Sequence, residues 1–251
     1  MVKAVLYDLD GVILDSRDLV AATLSSVAAS VLGDAPEAEA VAYVLSLPPV
    51  EALAALGVPD PAQAFDERFE TAYAVHAHRA RLVPGVVAGM RRLRASGLRL
   101  GLVTLQRRHR LANLPIQEVL GLLDVTMTFE DAAPKPAPDA VLGALDRLGV
   151  PPAQAWFIGD SPTDIAASRA AGVTAVGASW GYCAAETLRE AGAEPILSDP
   201  GQITAILLPD GDAAMRYDRS AHGITARGPH HRRLRSDTVR ELHGEHGGTA
   251  S

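Results

Sequence analysis

From Pro84 to Leu208 the chain alternates short apolar runs with helical stretches, and this alternation leaves few folds open. Apolar runs at 98–104, 125–129, 155–158, 173–177 and 195–197 read as strands. Helical patterns cover 86–96, 107–121, 138–148, 163–171, 184–191 and 201–208, and Pro115 must kink or split the second of them. A strand followed each time by a crossover helix requires a parallel sheet with both faces covered. With 48% hydrophobic but only 4% aromatic residues, that core has to be built from Ala, Val, Leu and Ile.

One more strand opens the chain, where Lys3-Ala4-Val5-Leu6-Tyr7 runs into Asp8-Leu9-Asp10-Gly11-Val12. Side chains alternate along a strand, so Asp8 and Asp10 can face the same way as the strand becomes a loop. Gly11 lets the backbone turn there and lets a ligand approach. Two carboxylates beside backbone N–H groups suit a hard cation and a phosphate, although an Asx-rich turn explains the same residues.

Between this strand and Pro84 lies a stretch with no convincing strand. A helix capped by Ser16 or Asp18 runs to about Leu32, and shorter helices follow at 37–45, 50–56 and 62–79. The expected class is therefore α/β: a Rossmann-like doubly wound parallel sheet with a small inserted helical cap domain. Residues 1–14 and 83–208 form the core and 15–82 the cap. Residues 209–251 hold five of the eight histidines without periodicity and read as a disordered tail.

The net charge of −7 argues against a general nucleic-acid binder. The single cysteine, Cys183, excludes an intramolecular disulfide and a cysteine-rich metal site. No signal-peptide pattern and no bilayer-length apolar run is present, so a cytoplasmic protein without membrane contact is expected.

In an open parallel sheet, ligands bind beyond the carboxyl ends of the strands. There the first strand delivers Asp8 and Asp10, and the second delivers Thr104. The loop after the third carries Lys135 between prolines, and the fourth runs into Gly159-Asp160-Ser161-Pro162-Thr163-Asp164. Singly, Thr104 reads as a helix-capping hydroxyl and Lys135 as a solvated loop lysine. Asp164 fits a first-turn partner of its own helix as well as it fits a functional role.

Together, Asp8-Leu9-Asp10-Gly11, the strand ending in Thr104, Lys135-Pro136-x-Pro138 and Gly159-Asp160-Ser161-x-x-Asp164 resemble the haloacid dehalogenase superfamily of phosphatases. Ala170-Ala171-Gly172-Val173 and Trp180-Gly181-Tyr182 are most similar to its phosphoglycolate phosphatase-like branch, whose cap occupies the place of the helical insert. The resemblance covers about residues 1–208. It implies a phosphoric monoester hydrolase acting on a small-molecule phosphate ester, as a monomer or homodimer. Asp8 would be the nucleophile and Asp10 the acid and base, with Thr104 and Lys135 completing the catalytic set. The amides of Leu9, Gly11 and Leu105, together with Thr104 and Lys135, would hold the phosphoryl group. Mg²⁺ would be bound by Asp8, the Asp10 carbonyl and Asp160, with Asp164 acting from behind or through water.

One residue departs from the family pattern: Leu105 stands where a small polar residue is usual. Ser46-Leu47-Pro48-Pro49 occupies the place of the cap's specificity loop and is apolar, which favours a leaving group with hydrophobic surface. His76, His78, Arg79 and Arg81 suit either an anionic substrate or a solvated helix face. Two other functions share the core: a phosphotransferase of the β-phosphoglucomutase type, and a binding protein without turnover. The absence of histidine before His76 counts against the first, and four intact motifs count against the second.

Overall fold

Strand β1 (Ala4–Tyr7) is fully buried because it sits in the middle of the sheet. Two-residue strands β2 (Leu14–Asp15) and β3 (Arg81–Leu82) pair with each other, antiparallel. The main sheet continues with β4 (Arg99–Val103), β5 (Val125–Met127), β6 (Ala155–Gly159), β7 (Thr174–Ala178) and β8 (Ile196–Leu197). Its order is β5-β4-β1-β6-β7-β8, and every pairing is parallel. The chain thus winds outward on one side of β1 and then on the other. The loops after β1, β4 and β6 diverge at that reversal, which is where such sheets leave a crevice.

The computed structural model describes residues 1–45 and 47–209, which belong to one compact unit. Ser46 of the expected specificity loop and residues 210–251 of the expected tail lie outside the described residues. Among those described, no helix is long and apolar enough to cross a membrane.

Between β2 and β3 the chain forms α1 (Arg17–Leu32), α2 (Ala38–Val44), α3 (Pro49–Ala55), α4 (Pro61–Ala64) and α5 (Glu70–His76). A π-helical turn, Phe65–Phe69, joins α4 to α5, and a 3₁₀ turn, Ala77–Arg79, follows. The helix expected over 62–79 is therefore nearly continuous but not uniform in winding. The sequence shows no strand in this stretch, yet Leu82 pairs with Leu14 and Arg81 with Asp15. A two-residue strand is too short to leave an alternating pattern, so nothing in the sequence marks it. Ser16 does stand at the start of α1, but its hydroxyl lies 3.0 Å from the Tyr182 hydroxyl and caps no helix amide.

The remaining helices are α6 (Val86–Ala95), α7 (Arg108–Leu111), α8 (Gln117–Leu120), α9 (Asp139–Leu148), α10 (Pro162–Ala171), α11 (Ala185–Glu190) and α12 (Gly201–Leu207). Pro115 lies between α7 and α8, so the split at proline is seen. Side-chain alternation along β1 divides the core. Val5 and Tyr7 pack in one cluster with Leu100, Leu102, Met90 and Leu93, whereas Ala4 and Leu6 pack in another with Val141, Ala144 and Leu145. Burial on both faces holds β1 rigid, and its carboxyl end is the fixed point on which the site is built.

Candidate active site

Asp8 follows β1 directly, and its amide donates to the Ile158 carbonyl at 2.9 Å. Its side chain is buried rather than exposed at a turn. Lys135, from the loop between β5 and α9, is also buried, at 7% exposure, which removes the solvated-lysine reading. Its Nζ donates to Asp8 Oδ1 at 2.7 Å, to Asp164 Oδ1 at 2.5 Å and to the Val103 carbonyl at 3.4 Å.

Asp164 sits in the first turn of α10, and both of its expected roles are present. Oδ1 meets Lys135, while Oδ2 accepts from Ser161 Oγ at 2.6 Å and from the amides of Ser161 and Asp160 at 3.1 and 3.2 Å. Ser161 Oγ accepts in turn from the Asp164 amide, which completes a capping box. Both Asp164 oxygens are thus committed to the protein.

Asp160 follows β6, and its Oδ2 accepts the Tyr182 amide at 2.6 Å. Gly11 and Gly181 form the walls beside it. A Cβ on Gly11 would lie 1.9 Å from Asp160 Oδ2, and one on Gly181 would lie 2.3 Å from the same oxygen. Gly11 has φ +82°, so both its conformation and its neighbour require glycine.

Burial drives the electrostatics. It pushes the Asp8 carboxyl upward, and although Lys135 pulls it down, Asp164 and Asp160 keep the net shift upward. Burial, then Asp164, raises Asp160 to about 7. Burial opposes charge on Lys135, but Asp164 and Asp8 outweigh it and raise the ammonium above its usual range. Three carboxylates therefore face one ammonium. Oxygens of Asp8, Asp160 and Asp164 lie within 4.8 Å of one another, all buried. Asp8 Oδ2 and Asp160 Oδ1 accept no hydrogen bond among the described residues. An all-oxygen set with excess negative charge fits a hard divalent cation.

Asp10 parts company with Asp8. Its Oδ2 accepts from Gln106 Nε2 at 2.8 Å, and its buried Oδ1 has no partner. Thr104 is buried at the end of β4, where its Oγ1 accepts the Gln106 amide at 3.0 Å. That bond caps the following turn and leaves the hydroxyl proton free to donate. Leu105 is 45% exposed.

The Gly11 amide is a correction to the sequence reading, because it donates to the Leu14 carbonyl at 2.7 Å and is not free for a phosphoryl oxygen. The turn that brings Leu14 back beside Asp10 uses it. The amides of Leu9, Asp10 and Leu105 make no hydrogen bond among the described residues.

The four basic residues singled out in the insert are engaged within it. His76 Nε2 lies 2.8 Å from Ser26 Oγ, His78 Nδ1 lies 3.0 Å from the Val75 carbonyl, and Arg81 is in β3. Arg79, with Arg17, borders a cavity of about 580 Å³ whose walls include Ala21, Val41 and Leu45. Tyr182 is marked in the sequence only as part of Trp180-Gly181-Tyr182, with no role, and Gln106, Arg110, Tyr73 and Glu70 are not marked at all. Gln106 and Arg110 stand four apart, but their partners Asp10 and Glu70 are distant in the chain and no spacing reveals them.

Comparison with known proteins agrees with this geometry. The family model described as haloacid dehalogenase-like hydrolase matches residues 5–178. A phosphoglycolate phosphatase of Rhodospirillum rubrum is 35% identical over 223 residues, covering 79% of this chain and 88% of its own. A pyrophosphatase PpaX of Bacillus velezensis is 29% identical, covering 74% and 88%. The crystal structure of a hydrolase of the same family from Deinococcus radiodurans, with bound phosphate and sodium, superposes with a TM-score of 0.68. It is 25% identical, and the match covers 84% of this chain and 96% of that one.

Proposed function

The chain belongs to the haloacid dehalogenase-like hydrolases, in the branch of the phosphoglycolate phosphatases, and on that premise we propose a Mg²⁺-dependent phosphatase working through an aspartyl-phosphate. Its substrate is a small-molecule phosphomonoester. The observation that carries this reading is the separation of the two motif aspartates. Asp8 is locked by Lys135 with one oxygen left open, while Asp10 is held apart by Gln106.

Asp8 Oδ2 attacks phosphorus, the ester P–O bond breaks, and its electron pair leaves with the alkoxide oxygen. Asp10 gives that oxygen a proton. Asp10 then takes a proton from water as the water oxygen attacks the phosphorus. The Asp8–phosphorus bond breaks and phosphate is released. Lys135 offsets charge between nucleophile and phosphoryl group, and the Thr104 hydroxyl with the amides of Leu9 and Leu105 holds phosphoryl oxygens.

Asp8, the Asp10 carbonyl and Asp160 would hold the Mg²⁺, and Asp164, with both oxygens engaged, would orient Lys135 and α10 instead. When bound, the ion supplies the positive charge that balances the buried carboxylates and polarises the phosphoryl oxygens. Residues 15–82 form the cap that keeps bulk water from the intermediate.

The test is a panel of phosphomonoesters that includes phosphoglycolate, sugar phosphates and nucleotides, with pyrophosphate alongside. Phosphate release from at least one monoester with Mg²⁺, and none with excess chelator, is expected. No release from any member contradicts the proposal.

A further inference from the structure

A chain of contacts joins Asp10 to the helical insert. Asp10 Oδ2 accepts from Gln106 Nε2, and Gln106 Oε1 accepts from Arg110 Nη1 at 3.0 Å. Arg110 Nε and Nη2 then grip the two oxygens of Glu70, on α5, at 2.9 and 2.6 Å. The guanidinium also lies over the rings of Tyr73 and Phe69, at 4.7 and 5.3 Å.

The polarity of this chain is forced. A guanidinium can only donate, so the oxygen of Gln106 must face Arg110 and its nitrogen must face Asp10. Gln106 cannot be flipped without breaking both bonds. At the far end, Asp10 Oδ1 is buried without a hydrogen-bond partner. A buried polar atom left unmet is costly, and such atoms belong where a ligand arrives.

We infer that Gln106 is a positioning residue: its amide occupies Oδ2 of Asp10 and turns Oδ1 toward the leaving-group oxygen. The grip of Glu70 on Arg110 makes this orientation depend on the seating of α5. The inference rests on the reading of Asp10 as the proton donor to the leaving group. A carboxyl torsion is broad and two-fold, so the amide, as the one group hydrogen-bonded to the Asp10 carboxyl among the described residues, selects its plane, with the Tyr73 and Tyr182 hydroxyls close enough to act on it electrostatically. Catalytic geometry is sensitive to displacements of about 1 Å.

Two esters of nearly the same shape test this: phenyl phosphate, whose leaving group is strongly basic, and p-nitrophenyl phosphate, whose leaving group departs without a proton. With a covalent intermediate, kcat/KM reports events only through departure of the first product. Gln106→Leu is expected to lower kcat/KM for phenyl phosphate about tenfold and for p-nitrophenyl phosphate less than about threefold. In an Asp10→Asn background the same substitution is expected to add less than about twofold.

Glu70→Gln, which leaves the crevice lining intact, is expected to show the same selective loss at smaller size, and it keeps the test open if Gln106→Leu folds poorly. Equal loss on both esters, or a full effect of Gln106→Leu without the Asp10 carboxyl, overturns the inference. If Asp10→Asn itself shows no preference for the nitro ester, the assignment of Asp10 fails and this inference with it. If Asp10→Asn is selective and Gln106→Leu is not, only the inference fails.

Discussion

Asp8 and Asp10 leave one strand two residues apart and enter different neighbourhoods. Asp8 joins a buried cluster in which Lys135, Asp160 and Asp164 are almost wholly screened from water. Asp10 belongs to a line of hydrogen bonds that runs outward through Gln106 and Arg110 to the 41%-exposed side chain of Glu70. The first neighbourhood is built at the ends of the sheet strands, and its three carboxylates share one ammonium in low dielectric. The second is fixed by the insert and carries its charge near water. The group proposed to stay ionised beside a cation is thus placed at the end of the buried central strand. The group proposed to exchange a proton is tied through Gln106 and Arg110 to the helical insert.

The difference predicts unequal responses to mutation. Lys135→Ala removes the only ammonium from a cluster of three buried carboxylates. It is expected to cost about 3–5 kcal/mol of stability, as breaking a buried ion pair does, and to abolish turnover. Denaturant titration with and without Mg²⁺ measures this, and the cation should recover part of the loss. A change under about 1 kcal/mol would mean the cluster is wetter or less charged than its geometry indicates.

Glu70→Gln is expected to cost less than about 1 kcal/mol, since exposed pairs are screened by solvent. Its pH dependence sharpens the contrast. The hydrogen bond from Arg110, ahead of that from His109, holds the Glu70 carboxyl at about 2, below its ordinary 4.5. Because the folded value is the lower one, the stabilisation is complete above 4.5 and disappears as pH falls toward 2. The Arg110 contribution to the stability gap between wild type and Glu70→Gln should therefore be full above 4.5 and close as pH falls across that window. A gap that persists unchanged to the lower end would remove Glu70 as its source.

Legibility in the sequence follows the same division. The parallel sheet, its helices and the cluster around Asp8 were readable because strand–helix alternation orders the strands. The motifs then fall at the carboxyl ends of β1, β4 and β6 and in the loop after β5. The β2–β3 pair was not readable, since two residues carry no period. Neither was the commitment of the Gly11 amide, which depends on how Leu14 folds back. The Asp10 line was hidden for a different reason. Its residues sit in a loop, a one-turn helix and the insert, and only tertiary packing joins them. Asp164 shows the limit of choosing between readings, because one carboxylate serves as helix cap and as ion partner at once.

The most direct measurement is acid quenching during steady turnover of an ester carrying radiolabelled phosphate, followed by proteolysis and mass spectrometry. Wild type is predicted to yield a peptide phosphorylated on Asp8, with the label lost in Asp8→Asn while the fold, read by circular dichroism, is retained. Sustained hydrolysis with no phosphorylated aspartate, together with near wild-type turnover by Asp8→Asn, would contradict the assignment of Asp8 as the nucleophile.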